Sequence, residues 1–155
     1  MKDVTLTIDD VQVTVPEGTT IFDAARMNGI TIPTLCHAQN ETPVGVCRVC
    51  VVDVWSLVRG QHVPGRVLGA SCVRPAEPDM KVFTNSDKVI GARRTLVELL
   101  MSDHPSPCAR HRHSHDCELE VMAAAEGVSQ PRFAKRLSPR GQDDSSLVIA
   151  VDHEA

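Results

Sequence analysis

Apolar and polar residues alternate through "VTLTIDDVQVTV" on both sides of an Asp-Asp pair, a period of two that predicts two strands joined by a tight hairpin. The period changes at "EGTTIFDAARMNGITIP". There Thr20 and Asp23 have the spacing of a capping box, Ile21, Ala24, Ala25 and Asn28 follow helical spacing, and Gly29 stands where a helix stops. Pro33 closes the segment off. Further on, "CVVDVWSLV" and "GRVLGASCV" predict two more strands around a turn containing "RGQHVPG", and "MKVFTNS" predicts a fifth. A small mixed sheet with a helix across one face follows, which places the fold in the α+β class.

A second region begins near Ser86, a good N-cap for "DKVIGARRTLVELLM". Val89, Ile90, Arg93, Leu96, Val97 and Leu100 recur on one helix face, and the helix is expected to end by Ser102 or Asp103. The His-crowded stretch "HPSPCARHRHSHDCELE" follows, then a short helical "CELEVMAAAEG". The remainder is rich in Pro, Ser and charge and reads as an extended tail. The expected divisions are a first domain over 1–85, a helix with a His-Cys module over 86–127, and a tail over 128–155.

Composition narrows the function classes. No run of about 18 apolar residues occurs, so no membrane span is expected. The start "MKDVTLTIDD" has no apolar core of the secretory kind, and a cytoplasmic protein is the expectation. In that compartment six cysteines serve more often as ligands or catalysts than as disulfides. A formal charge of -4, one Trp, three Phe and no Tyr supply neither a basic groove nor stacking platforms, which argues against nucleic-acid binding.

Cys36, Cys47, Cys50 and Cys72 form C-x10-C-x2-C-x21-C, three on one loop and one at the end of a later strand. Iron-sulfur ferredoxins distribute ligands in this way, a loop wrapping the cluster and a distant strand locking it to the sheet. Four thiolates hold two sulfide-bridged ferric ions, and Gly45 lets backbone approach the cluster without a Cβ in the way. Spacing alone also admits a structural zinc site, which accepts four thiolates tetrahedrally, although only one C-x2-C knuckle is present. Buried unliganded thiols are a third reading. A redox dithiol at "CRVC" is a weaker one, since no thioredoxin-like strand-then-helix setting surrounds it.

The run "IPTLCHAQNETPVGVCRVCVVDV", followed by "GASCVRPAEPDMKVFTNSDKVIGARRTLVELLMSDHPSPC", resembles the N-terminal region of the large iron-sulfur subunit of respiratory NADH dehydrogenase (complex I). It is equally similar to the matching subunits of NAD-linked hydrogenases and formate dehydrogenases. The resemblance covers roughly residues 2–127. It implies a β-grasp (ubiquitin-like) ferredoxin domain with a [2Fe-2S] cluster on Cys36, Cys47, Cys50 and Cys72, then a small helical His-Cys module with a [4Fe-4S] cluster. By position the second ligand set is His104, Cys108, His111 and Cys117.

Three features depart from the family pattern. The gap before Cys72 is longer, and "WSLVRGQHVPGR" fits as an extended hairpin tip. The chain stops at "AVDHEA", about where family members continue into a two-cluster ferredoxin domain, so a short version, a fragment or a division between chains is expected. In the second module the family reads H-x3-C-x2-C-x5-C, and here the middle cysteine is His111. Ligation by His111, a lost cluster and a Cys2His2 zinc site all remain open, and His113 and His115 are expected to be surface residues.

Two function classes follow. One is an electron-transfer subunit, relaying single electrons between flavin- or NAD-linked and catalytic subunits, with no substrate site of its own. The other is a structural or assembly subunit whose metals, zinc included, hold a small fold together. No nucleotide-binding glycine loop or Ser/His/Asp constellation is present, and Asp53 and Asp103 are expected to be solvated or capping groups.

Overall fold

Asp9 and Asp10, with φ of 44° and 66°, turn β1 (Asp3–Ile8) back onto β2 (Val11–Pro16) in an antiparallel hairpin whose register pairs Ile8 with Val11. Two consecutive positive φ values are what a two-residue hairpin turn requires, and Asp tolerates them better than most residues. The computed structural model describes residues 2–38, 40–134 and 141–151. Within 128–155, the tail expectation therefore falls partly outside the described residues, at 135–140 and 152–155. Along the hairpin Val4, Leu6, Ile8, Val13 and Val15 are buried, so the alternation in the sequence is a true inward-facing set.

α1 (Ile21–Met27) starts at the Thr20 N-cap, whose hydroxyl oxygen accepts from the Asp23 N–H at 3.0 Å and whose O–H donates to the Asp23 carboxylate at 2.9 Å. It buries Ile21, Ala24 and Ala25, and these join the sheet residues in one apolar core. Gly29, at φ 74°, ends it as expected.

The sheet has the order β2-β1-β6-β3-β4, built with β3 (Val51–Val58), β4 (Gln61–Pro64) and β6 (Lys81–Phe83). β6 lies parallel to β1 and antiparallel to β3, and Val54 and Val82 face each other at its centre. β5 (Gly69–Ala70) pairs with the start of β3. "RGQHVPG" is not a turn: Arg59 and Gly60, with φ of 50° and 80°, reverse the chain alone, and Gln61–Pro64 pairs with β3. This hairpin is the extended tip expected from "WSLVRGQHVPGR". The strand expected at "GRVLGASCV" shrinks to two residues, because the chain turns at once, with the Val73 and Arg74 N–H groups on the Ala70 carbonyl. Asp53 is not solvated. It is buried with Trp55 Nε1 at 3.5 Å and Lys88 Nζ at 3.9 Å, whereas Asp103 is exposed.

α2 (Asp87–Ser102) begins after Ser86 and ends where expected. The Ser86 hydroxyl oxygen accepts from the Val89 N–H at 3.4 Å. The buried Arg93 on this helix donates to the carbonyls of Thr84 at 3.0 Å and Val49 at 3.4 Å. The chain divides within α2 into two compact units, 1–96 and 97–155. In the second unit two helices follow, α3 (Ala109–Ser114) and α4 (Glu118–Ala125). α4 is the expected short helix. α3 carries no apolar face and buries none of its residues, so periodicity gives no sign of it. Asp143 and Val151 exchange two backbone hydrogen bonds of 3.0 Å in the tail.

Candidate metal centres

The first unit gathers four cysteines at one end of its sheet. Cys36 and Cys47 sit half-buried on the loop between α1 and β3, while Cys50 and Cys72 are fully buried. The Cys47 N–H points at Cys36 Sγ, 3.4 Å away. Gly45, at φ 65°, and Arg48, at φ 62°, bend the loop, and the Val51 N–H on the Arg48 carbonyl closes its last turn at 3.1 Å. A Cβ on Gly45 would come within 3.1 Å of Val73 Cγ1, so the loop lies close over the segment that follows Cys72. Ser71 links the segments that carry Cys50 and Cys72. Its hydroxyl donates to the Cys50 carbonyl at 2.8 Å and its N–H to the same oxygen at 3.1 Å, while its own carbonyl accepts from Phe22 of α1.

The electrostatics of this cluster of thiols reflects their proximity. Burial pushes the Cys72 thiol up to about 12, helped by the hydrogen bond to Cys50 and by the charges of Cys50, Cys36 and Cys47. Burial also pushes the Cys47 thiol up, but hydrogen bonds from the Val49 and Leu35 backbones, the Cys36 side chain and the Cys36 backbone outweigh it and leave it below its ordinary value. A bound cation would offset the mutual repulsion of thiolates held this close. The residues present fit a [2Fe-2S] group: four convergent sulfurs, backbone donors directed at them, and a loop with no Cβ at its tightest approach.

The second unit holds a different set. One donor atom from each of His104, Cys108, Cys117 and Glu120 lies within 4.8 Å of all the others. His104 Nε2 is 3.3 Å from Glu120 Oε1 and 3.6 Å from Cys117 Sγ. Cys108 and Cys117 are the N-caps of α3 and α4, and Cys108 Sγ accepts from the His111 N–H at 3.3 Å. Glu120 Oε1 also accepts from the Cys108 N–H at 2.6 Å. That bond is the largest of the influences holding its carboxyl below the usual range, with the His111 and His104 rings acting in the same direction.

Of the four residues expected here, His104, Cys108 and Cys117 lie in this group, and Glu120 lies with them. His111 stands behind it, its Nε2 3.9 Å from Glu120 Oε2 and its buried Nδ1 without a hydrogen-bond partner. His113 and His115 are exposed, as expected. Sequence reasoning passed over Glu120, although its place three residues after Cys117 puts both at the first turn of one helix.

Residues 1–87 match the family model of the 2Fe-2S iron-sulfur cluster binding domain. The chain belongs to that family. Among curated relatives, this [2Fe-2S] domain protein is 41% identical over 155 residues to HndD, a component of the NADP-reducing hydrogenase of Solidesulfovibrio fructosivorans, covering 96% of this chain and 25% of that one. It is 38% identical to one of the subunits of the NADH-quinone oxidoreductase of Mycobacterium bovis, covering 97% of this chain and 18% of that one. The chain thus spans a quarter or less of the length of these relatives. A crystal structure of NAD+-reducing [NiFe]-hydrogenase in the H2-reduced state aligns with a TM-score of 0.75 at 32% identity, covering 93% of this chain and 57% of that one. The mixed sheet with few helices agrees with an α+β ferredoxin-like domain.

Proposed function

We propose that this chain relays single electrons within a multi-subunit NAD(P)-linked oxidoreductase, through a [2Fe-2S] cluster held by Cys36, Cys47, Cys50 and Cys72. The observation that carries the reading is the convergence of these four cysteines inside the family-matched region. When bound, such a cluster takes up and returns one electron. The chain's own residues supply the rest. Cys50 and Cys72 sit in the dry end of the core and exclude water from one side, while the half-buried Cys36 and Cys47 form the face nearer solvent. The Cys47 N–H directed at Cys36 Sγ stabilises the extra charge of a reduced site, because a hydrogen bond to a thiolate offsets negative charge.

We read the sheet and its crossing helix as a β-grasp. The partners in this reading are a flavin- or nicotinamide-linked subunit and a further redox subunit. HndD and the mycobacterial relative are, as their names state, subunits of such oxidoreductases. No helix among the described residues is long and apolar enough to cross a membrane. The donors of the second centre suit a single ion better than a cuboidal cluster.

The test is a redox titration of the anaerobically prepared chain, followed by electron paramagnetic resonance. A reversible one-electron signal of a [2Fe-2S] type supports the relay. A colourless protein without iron or acid-labile sulfide overturns it.

A further inference from the structure

The second unit has a thin core. Among its described residues Val97, Met101, Ala123 and Val128 are the buried apolar side chains other than its two cysteines. Its helices are short, six residues in α3 and eight in α4, and helices of that length do not hold their shape unaided. A unit this small ordinarily needs a covalent or metal staple. The two cysteines are free, so no disulfide supplies it.

The geometry points to a structural zinc site formed by His104, Cys108, Cys117 and Glu120. Four donors on one tetrahedral ion lie about 3.3–3.8 Å apart, given metal–ligand distances of about 2.0–2.3 Å. The separations of 3.3 Å and 3.6 Å from His104 Nε2 to Glu120 and Cys117 fall in that range, and all four atoms lie within 4.8 Å of each other. The ligands of a cuboidal cluster sit on four separate irons at its corners and stand further apart. The donor chemistry agrees. Thiolate, imidazole and carboxylate are the three ligand types zinc takes, and two sulfurs select it over magnesium or calcium.

The site also staples what needs stapling. His104 follows the end of α2, Cys108 opens α3, and Cys117 and Glu120 occupy the first turn of α4, so one ion ties three segments together. Four protein ligands leave no open position, which marks the site as structural. His111 takes the outer place. Its Nε2 lies toward the second oxygen of Glu120, the kind of imidazole–carboxylate contact that orients a ligating carboxylate.

Metal analysis and zinc-edge X-ray absorption of the full chain test the site. The expected result is one zinc per chain, coordinated by two sulfurs and two nitrogen or oxygen atoms, in addition to the iron of the first centre. Glu120→Ala, which removes a ligand, should weaken zinc binding by more than about 100-fold in competition with a chromophoric chelator, while His111→Ala, which removes only the outer partner, should weaken it by about 10–100-fold and keep one zinc per chain at saturating metal. Cys72→Ala, which empties the first centre, should leave the zinc in place, so failure of the electron-relay reading and failure of this one are separable. Iron and sulfide beyond the needs of one [2Fe-2S] cluster would overturn the proposal, as would absence of zinc. Loss of zinc in His111→Ala with retention in Glu120→Ala would overturn the ligand set.

Discussion

The Ser71 hydroxyl donates to the Cys50 carbonyl at 2.8 Å, a buried bond between the residue before one cysteine and the backbone of another, 21 positions away. It ties together the segments that carry the two buried cysteines. Ser71→Ala leaves the backbone N–H on that oxygen at 3.1 Å, so the carbonyl keeps one partner. The expected loss is about 1 kcal/mol of stability, measured by urea unfolding, with faster bleaching of the cluster under chelator challenge.

Cys72→Ala removes the ligand proposed for the strand side. Iron and acid-labile sulfide attributable to the first centre should fall to background in an anaerobic preparation. Unchanged content would remove Cys72 from the ligand set.

Gly45 combines a positive φ with close approach to Val73. Gly45→Ala should cost about 1–3 kcal/mol through backbone strain and through a Cβ at 3.1 Å from Val73 Cγ1. Adding Val73→Ala relieves the contact and leaves the φ penalty. The double variant is therefore expected to regain only part of the loss in a denaturant titration; full recovery would show that the backbone is unstrained there.

Asp9 accepts the Thr84 N–H at 2.8 Å on one carboxylate oxygen and the Thr84 hydroxyl on the other, joining the first hairpin to the end of β6. Thr84 is almost fully buried, so its N–H has no ready substitute in water. Asp9→Ala is expected to destabilise the first unit by about 1–3 kcal/mol. Asp9→Asn keeps an acceptor and tolerates the turn conformation, and should lose less in the same unfolding measurement.

What the sequence determined alone was local. The alternation around Asp9 and Asp10, the capping pair Thr20 and Asp23, the stop at Gly29 and the start at Ser86 each involve residues a few positions apart, where the chain's own sterics decide. The cysteine spacing belongs here too, since three of the four lie on one loop. The two-residue turn at Arg59 and Gly60 was local as well, but Pro64 and Gly65 read as turn signals and drew the expected turn too far along. Only the tertiary structure decided the pairings between distant segments: Ser71 with Cys50, Asp9 with Thr84, Arg93 with the Val49 carbonyl, and the burial of Asp53. The same is true of the second centre. His111 matches a ligand position in the linear spacing, but Glu120 meets His104 and Cys108 because α4 turns it toward them. Spacing along the chain measures separation in residues, whereas coordination depends on distance in space, and the fold converts one into the other.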